Sequence, residues 1–213
     1  MAGGVAAGRP ACPFGWFPDW RGRSCVIVGS GPSAGCADLG RARGVGVIAI
    51  NEGWRLAPWA DVLYACDRAW WLHRQGVPDF EGLKVTADAR AASEFGLRRV
   101  RVDDVNALQL RSAGVLGSGG NSGFQAVNLA VQFGVQRIVL VGFDLNMDGG
   151  VHWHGLHPGR LNNPTSALLA QWAARLDAQA PLLARLGVEV LNASPTSALA
   201  AFPKVPLEEA ITC

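Results

Sequence analysis

Long apolar runs are missing from this 213-residue chain: none reaches the roughly 18 unbroken apolar residues of a membrane-spanning helix. Met1 to Ala11 is small and rich in Gly and Ala, without the charged start and apolar run of a signal peptide. An excess of one charge is missing too. Nineteen basic residues stand against 17 acidic ones, a net +2, and only 17% of residues are charged. That gives no electrostatic footprint for nucleic acid. The one basic cluster, Arg98, Arg99 and Arg101, reads as a solvated edge. Cysteine is scarce and unpatterned: Cys12, Cys25, Cys36, Cys66 and Cys213 are odd in number, irregular in spacing and contain no CxxC. This speaks against a disulfide framework and for a reducing, cytoplasmic compartment. Cys25 and Cys66 lie inside apolar strand patterns, where a thiol behaves as a small hydrophobe. Tyrosine is nearly absent, with Tyr64 alone against eight Trp. A Trp ring is large and carries one donor, so several are expected half-buried near a ligand or partner surface.

What is present is core material. Apolar residues make up 49% of the chain, enough for one large α/β domain, and no composition break, repeat or linker divides residues 24 to 204. The expected organisation is a loosely ordered lead-in at 1–23, pinned by Trp16, Phe17 and Trp20, then a nucleotide-binding domain at 24–204 and a tail at 205–213. Cys25 to Val28, Val45 to Ile50, Val62 to Cys66, Arg137 to Val141 and Val188 to Leu191 are short runs rich in β-branched residues, the mark of buried parallel strands. Leu83 to Thr86 and Val100 to Val102 read as edge strands. Ser122 to Phe133 is apolar nearly all round and predicts a buried helix. Thr165 to Leu186 predicts an amphipathic helix kinked or split at Pro181. Strands alternating with helices imply βαβ units: a single Rossmann-like α/β domain with a mostly parallel sheet flanked by helices.

Ligands in such sheets bind beyond the carboxyl ends of the strands, and the candidates lie there. Gly29-Ser30-Gly31-Pro32-Ser33 follows the first strand. Its glycines permit a sharp turn and close approach to a ligand, and Ser33 suits the cap of a following helix. The loop is not GxGxxG, and no Gly-Lys-Ser/Thr is present. Asn51 closes the second strand with a donor and an acceptor. Asp67 closes the third, either as a ligand for ribose hydroxyls or a metal, or as a helix N-cap. Trp70 and Trp71 stack on a base or fill the core. Gly117-Ser118-Gly119-Gly120-Asn121-Ser122-Gly123 leads into the buried helix and predicts a nest for phosphate or carboxylate. Gly142-Phe143-Asp144 ends a central strand, and His152, His154 and His157 follow, three of the chain's four histidines within six residues. They read as a general acid or base, or as a metal site with Asp144 or Asp148. Their spacing matches no common zinc signature, so no metal is assigned. Arg160, Asn162 and Asn163 follow within reach of a phosphate or sugar. The last strand ends in Asn192-Ala193-Ser194-Pro195-Thr196-Ser197, whose hydroxyls complete a pocket or cap a short helix from Ser197 to Phe202.

These motifs together resemble the bacterial family 42 sialyltransferases: GSGPS, a strand ending in Asn51, GNSGFQAVNLAVQFGVQRIVLVGFD, a His-bearing loop and ASPTSALAAF. The resemblance spans about Cys25 to Phe202. The related 6-hydroxymethylpterin diphosphokinase-like proteins of the archaeal type and small prophage-encoded proteins are similar as well. The resemblance implies that Gly29, Ser30, Gly31, Ser33, Asn51, Ser122, Gly123 and Asp144 lie on the nucleotide side. It implies that His157, with His154 as second choice, is the general base, with Asp144 orienting it or the ribose. Ser30 and Asp67 stand where those enzymes have Asn, and their donor-phosphate tyrosines have no counterpart. The implied activity is transfer from a nucleotide-activated sugar, with no cofactor. The alternatives are a diphosphokinase-like transfer from ATP, with Mg2+ on Asp67, Asp144 or Asp148, and a non-catalytic nucleotide-binding module. The partner is a nucleotide or nucleotide-sugar, and homo-oligomerisation stays open.

Overall fold

Alternation inside the apolar runs decides the architecture. In β1 (Ser24–Val28), Cys25 and Ile27 face one side of the sheet and Val26 and Val28 the other, and all four are fully buried. A strand buried on both faces needs helices on both sides, which parallel βαβ crossovers supply. The protein is described here by a computed structural model covering residues 15–159 and 161–212. After β1 come β2 (Gly46–Ile50), β3 (Val62–Ala65), β4 (Leu83–Thr86), β5 (Arg98–Arg99), β6 (Arg101–Asp103), β7 (Val115–Gly117), β8 (Arg137–Val141) and β9 (Glu189–Asn192). Seven form one parallel sheet in the order β5-β4-β3-β2-β1-β8-β9. The chain works outward from β1 to β5 and then returns to lay β8 on the other side of β1. That reversal opens a crevice beyond the carboxyl ends of β1 and β8. The fold is therefore α/β and Rossmann-like, as the sequence implies.

The helices are α1 (Arg68–His73), α2 (Ala89–Phe95), α3 (Ser122–Phe133), α4 (Ser166–Asp177), α5 (Ala180–Arg185) and α6 (Leu207–Thr212). On one face α3, α4 and α5 bring Phe124, Leu129, Leu176 and Leu183 onto Ile27, Ile48, Tyr64 and Leu140. On the other, Trp70 and Trp71 of α1 and Leu207 and Ala210 of α6 cover Val26, Val28, Val139 and Val141. Phe17 and Trp20 lie edge-on to Phe133 at 5.0 and 5.1 Å between ring centres, fastening the incoming chain to α3. The break between α4 and α5 falls just before Pro181, which occupies the first turn of α5, where no backbone N–H is needed. No helix among the described residues is long and apolar enough to cross a membrane.

Four sequence expectations are corrected. Leu83–Thr86 is not an edge, because β5 lies outside it. Val100 separates two short strands: it is buried, and its N–H donates to Thr86 O at 3.0 Å. The chain then leaves the main sheet, and β6 pairs with β7 in a small parallel sheet of its own. Cys66 falls one residue past β3 and is half-buried rather than a core thiol. Ser197 to Phe202 is not a helix. The backbone N–H groups that would close its turns are taken: Ala198 donates to Asp144 O, and Ala200 and Ala201 donate to the Asp177 carboxylate.

α3 is less uniform than its apolar sequence suggests. Gln125, Asn128 and Gln132 form a stripe at helical spacing and bind the chain between Gln109 and Ser118. Asn128, fully buried, accepts from the N–H groups of Gln109 and Gly117 at 2.8 and 2.9 Å and donates to Gln109 O at 2.9 Å. Gln132 accepts from Gly114 N and donates to Val115 O, both at 2.7 Å. Gln125 accepts from the Tyr64 hydroxyl at 2.7 Å and donates to Ser118 O at 3.0 Å. Side-chain amides thus satisfy backbone groups on the inner side of a partly buried segment, which is exposed at Leu110, Arg111 and Ser112. Asn128→Ala strands two buried N–H groups and is expected to cost about 2–4 kcal/mol. Urea denaturation followed by circular dichroism reads this, and an unchanged midpoint would refute it.

Candidate functional site at the switch point of the sheet

The strand-end loops converge on a cleft of about 580 Å³. Gly29, Ser30 and Gly31 line it from β1, Asn51 from β2, and Cys66 and Asp67 from β3. Asn121, Ser122 and Gly123 line it from the start of α3, and Asp144 from β8. His152, His157, Asn163 and Trp172 form the remaining wall. Ser33 and His154 stand outside this lining, and Arg160 lies outside the described residues. The sequence motifs are thereby brought to one place, with His152 added.

The first loop is held from within. Gly29 N donates to Val141 O at 2.7 Å, Gly31 N to Gly142 O at 2.9 Å and Ser33 N to Asp144 Oδ2 at 3.2 Å. A Cβ on Gly31 would meet Asp144 Oδ2 at 2.1 Å, so glycine is required there by the packing of the loop against β8. Ser33 caps no helix: the following turn, Pro32–Cys36, is a short 3-10 helix without a side-chain cap. The Ser33 hydroxyl donates instead to Asp144 Oδ2 at 2.8 Å. The other carboxylate oxygen accepts from Thr196 Oγ1 at 2.7 Å. Asp144 is 2% exposed, and these bonds hold three strand-end loops together. Its carboxylate meets hydroxyls rather than a histidine. The loop therefore offers the cleft chiefly the Ser30 hydroxyl, whose Oγ is buried without a hydrogen-bond partner among the described residues.

Asn51 adopts the left-handed region at φ 47°, a conformation Asn tolerates better than most residues. Its Oδ1 is likewise buried and unpartnered among the described residues. Sequence reasoning missed the next residue. Glu52 is 1% exposed and accepts from Arg74 at 2.8 and 2.6 Å and from Trp70 Nε1 at 3.0 Å. Burial opposes ionisation of Glu52, but Arg74 and Trp70 outweigh it and hold the carboxyl below its ordinary range. The pair locks α1 to the turn bearing Asn51. The only sequence signal was an acidic residue inside an apolar stretch. Trp70 and Trp71 are core residues, with their rings edge to face at 5.0 Å.

Asp67 sits at the N-cap position of α1 without a side-chain capping bond, and it is exposed to the cleft. Beside it, the Cys66 thiol donates to Asp67 Oδ2 at 3.3 Å and accepts from Ser122 Oγ at 3.2 Å. Burial and the Asp67 charge push this thiol up to about 12, so it stays protonated and is no nucleophile. Asn121 caps α3, accepting from Phe124 N at 2.9 Å. The start of this 12-residue helix thus opens onto the cleft, where its dipole favours an anion.

The three histidines form one cluster. His152 and His154 stack at 5.1 Å with an interplanar angle of 13°, and His157 lies 4.5 and 4.9 Å from them between ring centres. Asn163 clamps the backbone of His157, accepting from its N–H at 2.9 Å and donating to its carbonyl at 3.3 Å. Burial and the neighbouring rings bring His152 down to about 4. Burial also lowers His154 and His157, so all three are neutral at neutral pH.

Two outcomes follow. Asp144→Ala removes acceptors from Ser33 and Thr196 and is expected to cost about 2–4 kcal/mol; chemical denaturation measures it, and a loss within error of zero would contradict the staple. The histidines bind protons more weakly folded than unfolded. Protons therefore favour the unfolded chain between the ordinary value near 6.5 and the lowered ones. Stability should be full above pH 6.5 and fall as pH drops toward 4. The urea midpoint should be lower at pH 5 than at pH 7.5, and replacing all three histidines by Gln should flatten that difference.

No family model matches the chain, and no curated protein matches it. Among solved structures it is similar to the sialyltransferase CstII from Campylobacter jejuni in complex with a substrate analogue, cytidine-5'-monophosphate. The TM-score is 0.54 at 12% identity, covering 91% of this chain and 88% of that one. The same sialyltransferase in complex with CMP-3FNeuAc gives a TM-score of 0.50 at 12% identity, covering 89% and 88%. At this identity the likeness is one of fold: the two proteins share an α/β architecture.

Proposed function

We propose that this protein is a nucleotide-dependent transferase, a sialyltransferase-like glycosyltransferase that draws on a nucleotide-activated sugar. The observation that carries the reading is the cleft at the switch point. It joins two unpartnered buried acceptors, Ser30 Oγ and Asn51 Oδ1, the opening turn of α3, and neutral histidines on the opposite wall. Ser30 and Asn51 bind the nucleoside part, with Gly29 and Gly31 giving close backbone approach. Asn121, Ser122 and Gly123 at the start of α3 face the phosphate. Asp67 reaches ribose hydroxyls. Ser33 and Asp144 act as positioning residues that set the first loop. The acceptor hydroxyl loses its proton to the histidine cluster, with His157 as first choice and His154 as second. A neutral imidazole fits that role, a step worth about 10²–10⁴ in rate. CMP and CMP-3FNeuAc are bound in two solved structures of a sialyltransferase that is similar in fold.

The Mg-ATP alternative has weaker support. Asp144 is spent on Ser33 and Thr196, and Asp148 is exposed and outside the cleft lining, which leaves Asp67 alone among the three carboxylates to hold the ion.

Thermal melts with CMP, CDP, UDP, GDP, ADP and ATP, each with and without magnesium, test the reading. A nucleotide at 100 times its dissociation constant stabilises the fold by about 2.7 kcal/mol. CMP is expected to act without magnesium. His157→Ala should keep that shift while lowering transfer from a CMP-sugar about 10²–10⁴-fold. A shift with ATP and magnesium alone would replace the reading with the diphosphokinase one. No shift with any nucleotide would overturn it.

A further inference from the structure

We infer that His152, His154 and His157 form a three-nitrogen site for a divalent transition metal of the zinc class, with an open coordination position toward the cleft. One ring nitrogen from each histidine lies within 4.8 Å of the other two. Nε2 of His152 and Nε2 of His154 are buried and have no hydrogen-bond partner among the described residues. Burying lone pairs this way is unfavourable unless something takes them up. No carboxylate among the described residues does so. Glu52, whose charge is felt at the rings, is engaged by Arg74, Arg55 and Trp70. One dication would satisfy all three rings at once.

The chemistry selects the ion. Neutral imidazoles suit zinc, cobalt, nickel and copper, whereas magnesium and calcium prefer oxygen ligands. Zinc bonds nitrogen at about 2.0–2.1 Å, so a tetrahedral site needs nitrogens about 3.4 Å apart. The rings must close by little more than an ångström from their present positions. The loop can supply that, since it lacks regular structure between Val151 and Gly159 and turns at Gly155 with φ 84°. The supports usual around such a ligand set are also present. Asn163 holds His157 at both backbone groups. Trp153, between two of the ligands, donates its backbone N–H to Ser30 O at 3.0 Å, and the Arg55 guanidinium lies over its ring at 5.3 Å. His152 and His157 line the cleft, so an ion held by them presents its remaining position to a bound oxygen ligand. Three protein nitrogens with an open position is the pattern of a catalytic zinc rather than a structural one. With an ion in place the His157 ring would serve as a ligand, which would leave it unable to act as the proton acceptor of the transfer proposed above.

The inference stands on the cluster alone, whether or not the transferase reading holds. The test uses the untagged full chain, stripped with a chelator and titrated with cobalt(II) and with zinc(II). Cobalt should give the visible bands of a tetrahedral site, which zinc then bleaches, and zinc should raise the melting temperature. His152→Gln, His154→Gln and His157→Gln should each weaken binding by more than about 100-fold, beyond the usual loss from a supporting residue. Each variant's melt in chelator, matched to the wild type, separates loss of the site from loss of the fold. Absence of cobalt bands and of a zinc shift in the wild-type chain would overturn the inference, as would binding that survives all three substitutions. Repeating the CMP melt in chelator keeps the two readings apart: a CMP shift without cobalt bands sinks only the metal site, and cobalt bands without a CMP shift sink only the transferase.

Discussion

Burying a carboxylate at the end of a central strand is unfavourable unless its oxygens are fully engaged, and Asp144 shows how this fold meets that requirement. Oδ2 accepts from the backbone and hydroxyl of Ser33, Oδ1 accepts from Thr196, and its own carbonyl accepts from Ala198. Three loops, from β1, β8 and β9, are thereby tied to one residue. The glycines around it follow from that tie. Gly31 has no room for a Cβ beside Asp144, and a Cβ on Gly29 would meet Gly142 O at 2.7 Å. The floor of the cleft is thus rigid before any ligand arrives, which is what a site built on close backbone approach needs.

The opposite wall depends on amides. Asn128 and Gln132 direct their hydrogen bonds to the segment from Gln109 to Ser118, and Gln125 adds one to Ser118 O. This segment leads directly into Gly119, Gly120 and Asn121, so the same bonds that solve a burial problem also set the start of α3 at the cleft. Tyr64, the chain's single tyrosine, ends its hydroxyl on Gln125 and ties this wall to β3. A phosphate at the N-terminus of α3 would meet a helix that cannot shift without breaking buried hydrogen bonds.

Charge is separated across the site. The Glu52–Arg74 pair lies behind the turn that carries Asn51 and leaves that amide oxygen unspent. Burial outweighs the charge of Glu52 at the histidines, which keeps them neutral and their lone pairs available. The first arrangement fixes geometry, and the second keeps chemistry in reserve. Each is made from residues distant in sequence, joined only when strand ends meet at the switch point.

The alternation of Cys25 to Val28 and Arg137 to Val141, and the length of Ser122 to Phe133, were enough by themselves to determine a parallel α/β fold and to place the loops at strand ends. Burial on two faces leaves a periodic mark, and glycine-rich turns leave a compositional one. The small β6–β7 pair, the non-helical run after Ser197 and the role of Glu52 left no such mark. Three-residue strands have no period to read, and a backbone N–H captured by a distant carboxylate looks like any other in the sequence. The histidines were visible as a cluster in the chain, but their ring contacts, the unpartnered nitrogens and the entry of His152 into the cleft were decided by the folding of the loop. Asp144 makes the same point. The sequence placed it at a strand end, and only tertiary structure settled that its oxygens bind Ser33 and Thr196, because those partners lie 111 and 52 residues away and meet it only across the assembled sheet.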